Sequence, residues 1–349
     1  MSPPHSTRWL VGKNTIAQII GKAVGAVVTF AITLLIAQKL GAIGYGEFTK
    51  IITYVTFFYL IADFGLNAVF LQQVQNESQQ EYHRLWHALI MLRLVLSLVF
   101  VFGSLLLLPL LPSSNASGYT NMVKVGILLF SPTIIFQALL TSTNAIFQKN
   151  LRYDLSTIAT SIGSATSLVL VFIAMQQEAS LIAVISSLFV GSMVTAGIAL
   201  FLATTLHTSW TVSWDGNGMK KLFLPALPLA ATLLLNLVYF RADSVILTLT
   251  RPTSDVGIYG FAYKFFEFPL VVPTFFMNSL YPLLLAAKRH SQKQFLHLAK
   301  KAAGILFAFL LWVSLFSFSH PLPCGHLSHS KNKLRLPLST RLLWPRTFS

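Results

Sequence analysis

Nine stretches of this chain are long and apolar enough to cross a membrane, and little polar sequence separates them. A helix needs about 20 apolar residues to cross a hydrocarbon core roughly 30 Å thick. With that window the spans fall near 16–38, 47–72, 86–111, 119–147, 154–175, 179–205, 221–250, 256–286 and 296–318. They should be helices, because lipid offers no partner to an open strand edge. The expected fold class is therefore all-α, a polytopic membrane helix bundle. Composition agrees: of 349 residues, 54% are hydrophobic and 10% charged, against about 25% charged in an ordinary soluble domain. That balance excludes a soluble enzyme and a nucleic-acid-binding module. The net charge of +15, which in a soluble protein would suggest an anionic partner, must first be placed relative to the bilayer. A single cysteine, Cys324, excludes an internal disulfide framework. Ten acidic residues leave little material for carboxylate catalysis.

The loops set an orientation. With the N-terminus in the cytoplasm, the inside segments before residue 319 hold twelve Lys or Arg, and the outside loops hold only Lys39 and Arg251. Excess Lys and Arg mark the cytoplasmic side. The start, with Arg8 and Lys13 ahead of a long apolar run, has no evident cleavage site, so the first span is expected to be retained. Trp210 and Trp214, with Trp86, suit the cytoplasmic aromatic belt. Residues 319–349 break the pattern. They hold Lys331, Lys333, Arg335, Arg341 and Arg346 with no acid and no span-length run, on the side the bias avoids. They read as a disordered basic extension or as sequence translated out of frame.

The charges inside the spans are Lys22, Lys50, Asp63, Arg93, Lys124, Arg241, Asp243, Lys264 and Glu267. A charge at mid-bilayer costs about 2.5–3.5 kcal/mol on insertion scales and so faces a bundle interior or an aqueous cavity. Snorkelling to the interface is the alternative, favoured for Lys124 and evenly balanced for Lys50, which lie near span ends. Arg241 and Asp243, at i,i+2, do not face each other on a helix, so each needs another partner. Lys264 and Glu267, at i,i+3, can pair, either structurally or around a substrate. Gln18, Asn67, Gln137, Asn144 and Asn236 can offer neutral hydrogen bonds, to sugars or between helices. His83 and His87 have the i,i+4 spacing of metal ligands but no third ligand, and Cys324, His326 and His329 lie in the tail. No metal and no cofactor are expected. Tyr45-Gly46 and Tyr259-Gly260, with Lys50 and Lys264 five residues beyond each tyrosine, repeat at an offset of 214 residues. Such an offset would suit a duplicated lobe, although few other positions coincide.

Three stretches resemble the polysaccharide flippases of the multidrug/oligosaccharidyl-lipid/polysaccharide exporter superfamily. The first is Leu40-Gly-Ala-Ile-Gly-Tyr-Gly-Glu-Phe48 with Ala62-Asp-Phe-Gly-Leu-Asn67, and the second is Ala145-Ile-Phe-Gln-Lys-Asn-Leu-Arg-Tyr153. The third is Tyr239-Phe-Arg-Ala-Asp-Ser-Val-Ile-Leu247, followed by Gly257-Ile-Tyr-Gly260 and Ser279-Leu-Tyr-Pro282. The resemblance implies two six-helix lobes related by a two-fold axis along the membrane normal. Residues 1–206 would form the first lobe and 207–318 the first three helices of the second, leaving 319–349 as a non-native or disordered tail. A chain with so short a second lobe is expected to be inactive alone.

The function implied is translocation of a polyprenyl-diphosphate-linked oligosaccharide across the bacterial inner membrane. Arg241, Asp243, Lys264, Glu267, Lys22, Lys50, Asp63 and Arg93 are the candidate cavity residues. The expected partners are the lipid-linked oligosaccharide, membrane lipids and other polysaccharide-assembly proteins. A cation-coupled multidrug antiporter of the same superfamily is an alternative, but its cavity should be acidic, and the spans hold six Lys or Arg against three acids. A membrane glycosyltransferase or glycan polymerase would need an acidic site or a large external loop.

Overall fold

A computed structural model describes residues 5–74, 78–113, 117–150, 152–177, 180–206, 214–264 and 291–319, with the single positions 267, 269, 273 and 276. Helices α1 (His5–Asp63), α2 (Leu66–Gln73) and α3 (Gln79–Leu106) lead into a 3₁₀ turn at Leu108–Leu110. They are followed by α4 (Asn121–Phe130), α5 (Thr133–Lys149), α6 (Tyr153–Gln177), α7 (Leu181–Thr204) and α8 (Gly216–Thr250). A helix over residues 253–264, here α9, and α10 (Gln292–Ser319) complete the described elements.

Seven helical segments among the described residues are long and apolar enough to cross a membrane. The first, Ala23–Gln73, has 51 residues, about 77 Å at 1.5 Å per residue, which is the length of two crossings. The expected spans 16–38 and 47–72 are therefore joined in one helical run. The bend lies at Gly41, with φ 67° and ψ −170°, a conformation open in practice only to glycine. The expected span 256–286 lies largely outside the described residues, as does the tail from residue 320 onward.

The chain thus crosses back and forth between two ends of the bundle, named here for Gly41 and for Ser78. Ser78 caps α3 by accepting a hydrogen bond from the Glu81 amide at 3.3 Å, the S-x-x-E pattern of a helix start. Pro132 divides α4 from α5, and a local hydroxyl answers a freed carbonyl. The Ile134 amide turns to Ser131 O, and Thr133 Oγ1 donates to Phe130 O at 2.6 Å, the kind of local repair that lets proline persist in lipid. Two prolines, Pro225 and Pro228, lie inside α8.

The apolar contacts form separate cores at the two ends. Near Ser78, Phe70, Leu85, Trp86, Leu89, Phe147, Ala199, Ala203, Leu222 and Ala226 pack together. Trp86, expected in the aromatic belt, is instead fully buried in this core; its indole is the largest side chain available to fill the space between α2, α3 and α8. Near Gly41 the core is Ile51, Tyr54, Tyr119, Val123, Ile127, Leu181 and Ile185. Phe102, Leu106, Phe201 and Leu235 point outward, as side chains facing lipid do. Helix α10 buries only 6% of its most apolar window.

Candidate functional site

Helix α8 lies against α1, α2 and α3, so the polar residues between these elements define where the later helices meet the earlier ones. At the Ser78 end the join is ionic. Arg84 grips Asp215 with two donors, Nε to Oδ2 at 2.7 Å and Nη2 to Oδ1 at 3.2 Å. Lys221 donates to Glu81 at 3.2 Å. The Phe64 and Phe223 rings stack nearby with centroids 5.3 Å apart. Asp215 precedes α8 and lies outside the apolar spans, and the Arg84 guanidinium holds its carboxyl below the usual carboxylate range.

At the Gly41 end the join is made by backbone. A Cβ on Gly46 would run into the Thr253 carbonyl oxygen, and one on Gly257 into that of Ala42, so α1 and α9 touch without intervening side chains. Tyr45 meets Phe261 edge-to-face at 5.8 Å. Gly118 N donates to Thr248 O at 2.8 Å. Lys50 fastens the same region, donating from Nζ to Gly118 O at 2.7 Å and to Thr253 Oγ1 at 2.8 Å. Its side chain is 1% exposed.

Two polar groups lie between these ends. In the first, Arg93, midway along α3 and 1% exposed, donates to Asp63 Oδ1 at 3.0 Å and to Ser142 Oγ at 3.3 Å. Asn67 donates to Thr141 O at 2.9 Å, and Gln137 to Tyr59 at 3.4 Å. In the second, formed by α8, α9 and Glu267 beyond it, that carboxylate receives both Arg241 at 3.3 Å and Lys264 at 2.5 Å. Asp243 takes the Tyr259 hydroxyl and its neighbouring amide at Ser244. The Arg241 guanidinium lies 5.8 Å from the centroid of the Tyr263 ring.

The structure therefore divides the eight candidates among separate places. Asp63 and Arg93 form one pair, and Arg241, Lys264 and Glu267 meet, while Asp243, two residues beyond Arg241 on α8, is held by Tyr259 and Ser244 instead. Lys50 is a fastener at the Gly41 end. Lys22 lies on α1, and its side chain is outside the described residues, as is that of Gln18. Asn144 accepts from Ser156 at 2.7 Å, and Asn236 is exposed. Among the described residues no group of three or more metal-ligating side chains occurs. Sequence reasoning missed the Arg84–Asp215 and Glu81–Lys221 bridges, whose partners lie 131 and 140 residues apart. It also missed Tyr259, recognised only as part of a repeat.

A helical bundle of this length and apolarity, polar between its two ends, is the architecture of a multi-pass membrane protein. The chain matches the model of the polysaccharide biosynthesis protein family over residues 11–287, and it belongs to that family. Among solved structures it is similar to the lipid II flippase MurJ in an inward closed conformation. The identity is 16% and the TM-score 0.61, over 83% of this chain and 61% of that one. A MOP superfamily transporter from Pyrococcus furiosus, described as having a binding pocket of reverse polarity, matches at 16% identity and TM-score 0.58 over 93% of this chain and 74% of that one. A multidrug resistance MATE transporter in an inward-facing conformation matches at 14% and TM-score 0.60, over 84% and 69%. At such identities the likeness is one of fold. No curated protein sequence matches the chain.

Proposed function

We propose that this protein carries a polyprenyl-diphosphate-linked oligosaccharide across the bacterial inner membrane, as a flippase working by alternating access. In this reading residues 1–206 and 207–318 belong to two lobes. The N-terminus and the Ser78 end face the cytoplasm, and the Gly41 end faces outward. The observation that carries the reading is the sharing of Glu267 by Arg241 and Lys264. Two cations around one carboxylate can exchange that partner for a diphosphate without either being left unpaired in lipid. A diphosphate is a compact multiple anion that Arg and Lys hold by charge-assisted hydrogen bonds. Asp243, occupied by Tyr259 and the Ser244 amide, does not compete for them. The glycan crosses with the head group, and the tail stays in lipid.

The test is binding of a soluble short-chain polyprenyl diphosphate to the purified protein. Each charge-assisted bond contributes about 1.5–3 kcal/mol, so Arg241→Ala and Lys264→Ala should each weaken binding by roughly tenfold to a hundredfold. The uncharged polyprenol should bind weakly to all forms. Equal binding by Arg241→Ala, or equal binding of the diphosphate and the alcohol, would discard the assignment.

A further inference from the structure

Helix α10 takes the least support from the rest of the protein. Its most apolar window is 6% buried, against 17% to 44% in the other six spanning segments among the described residues. Its first three turns differ in character from the remainder. Lys293, His297, Lys300 and Lys301 are all exposed, and at about 100° per residue they share a single face of the helix. Phe295, Leu298 and Ala299 are half-buried and Ala302 is buried, and these fall on the opposite face. The contacts that seat the helix thus turn its cations away from the protein.

Those cations have no acids to answer them. No Asp or Glu follows Glu267 in the chain. Near the Ser78 end, Glu81, Asp154 and Asp215 are engaged by Lys221, Arg152 and Arg84. Among the described residues no ion pair reaches Lys293, Lys300 or Lys301. Their depth follows from the apolar run beyond them. From Ala302 to Ser319 there are 18 residues without a charge, about 27 Å of helix, close to the roughly 30 Å of a hydrocarbon core. Lys300 and Lys301 therefore stand at the edge of the hydrocarbon, where lipid phosphates lie. Lys293 is about 10 Å farther out, and its flexible stem can fold back toward the same layer.

We propose that this face of α10 is a docking surface for the headgroups of anionic phospholipids in the adjacent leaflet. The phosphate of a zwitterionic lipid is already balanced by its own ammonium, whereas an anionic headgroup keeps its charge for the lysines. Each lysine near an anionic membrane surface contributes roughly a fivefold preference. An acidic protein reaches Lys293 from water, but not a pair of lysines at the hydrocarbon edge, so lipid is the partner that fits all three.

The inference needs only that α10 crosses the membrane, so its failure and a failure of diphosphate binding are separable. The experiment uses the full chain with Cys324→Ser in phosphatidylcholine vesicles, with a donor fluorophore at Gln294→Cys, exposed beside the lysines. Energy transfer is measured to a trace of chain-labelled phosphatidylglycerol or chain-labelled phosphatidylcholine. Phosphatidylglycerol should be enriched near the donor by at least about fivefold. Lys293→Gln, Lys300→Gln and Lys301→Gln together should abolish the preference, and arginine at the same three positions should keep it. If the triple glutamine variant fails to insert, Lys293→Gln alone, outside the apolar run, should lower the enrichment severalfold. A donor moved to the exposed Asn217, where Asp215 and Glu81 offset the nearby cations, should report a weaker preference. Equal enrichment at the two positions would trace the attraction to the net charge of the whole chain and overturn the proposal. Equal transfer from the two lipids would overturn it in favour of an acidic protein partner. Loss of the preference on adding inorganic phosphate at constant ionic strength would mark a site for the free ion and overturn it too.

Discussion

At the Gly41 end, α1 and α9 meet backbone against backbone, and the Lys50 ammonium beside that contact is enclosed and answered by neutral oxygens. At the Ser78 end, α3 and α8 meet through Arg84, Asp215, Glu81 and Lys221, and these side chains stay partly in water. Both ends join the earlier helices to the later ones, but by opposite means. Surface ion pairs contribute little each and weaken with salt. A contact between backbones depends on shape alone, and a desolvated ammonium must keep its acceptors. The Ser78 end should therefore open more readily and respond to ionic conditions, while the Gly41 end should not.

The largest effect is expected from Gly46→Val. The new side chain would meet the Thr253 carbonyl, which has no side-chain freedom with which to yield, and overpacking of this kind costs about 1–3 kcal/mol or more. Labels at Ile43 and Arg251, both exposed, should move apart, and unchanged spacing would show that the contact is not a constraint. Next comes Lys50→Met, which removes the donor from Gly118 O and Thr253 Oγ1. It should lower thermal stability in detergent by about 1–3 kcal/mol, with no dependence on salt. If added salt rescued or mimicked this loss, the contrast between the two ends would collapse.

Arg84→Ala with Lys221→Ala should act more weakly, lengthening the distance between labels at the exposed Gln80 and Asn217, and salt near 1 M should do the same to the unaltered protein. The smallest effect concerns Asp215. Its folded-state pKa is depressed below the ordinary 3.8 by Arg84, so its contribution is present above that value and lost as pH falls through the lower folded one. This should give a slight opening of the Ser78 end at strongly acid pH, a response absent once Arg84→Ala is introduced.

The fold class was readable because lipid imposes length and apolarity on each crossing. Within a helix, spacing served well. The i,i+3 relation of Lys264 to Glu267 corresponds to a contact, and the i,i+2 relation of Arg241 to Asp243 corresponds to two different partners. What could not be read was the pairing between distant helices. Lys50 and Thr253 are 203 residues apart, and no periodicity links them. The repeat at Tyr45-Gly46 and Tyr259-Gly260 contained more than its few identities suggested. The two helices that bear it are the ones that touch at the Gly41 end, where Gly46 packs on Thr253 and Gly260 on Thr49. Trp86 was misplaced because aromatic composition near a span end does not tell a lipid-facing ring from a buried one.

The prolines of α8 have a mechanical consequence. Pro225 and Pro228 each lack an amide hydrogen, so the helix is missing the bonds to the carbonyls of Lys221 and Leu224, and each ring also crowds the turn before it. Bending stiffness is therefore lowest over a short stretch just past Lys221 and Leu222, the residues anchored to α3 and its core. Beyond that stretch α8 runs on for about 20 residues, or roughly 30 Å, to the Gly41 end. The far end is held at the Gly41 end, where Gly118 N donates to Thr248 O at 2.8 Å, so a rotation at the soft stretch falls on the short arm and moves Asp215 and Lys221 against α3. The helix thus has the form of a lever with a fixed long arm and a charged short one.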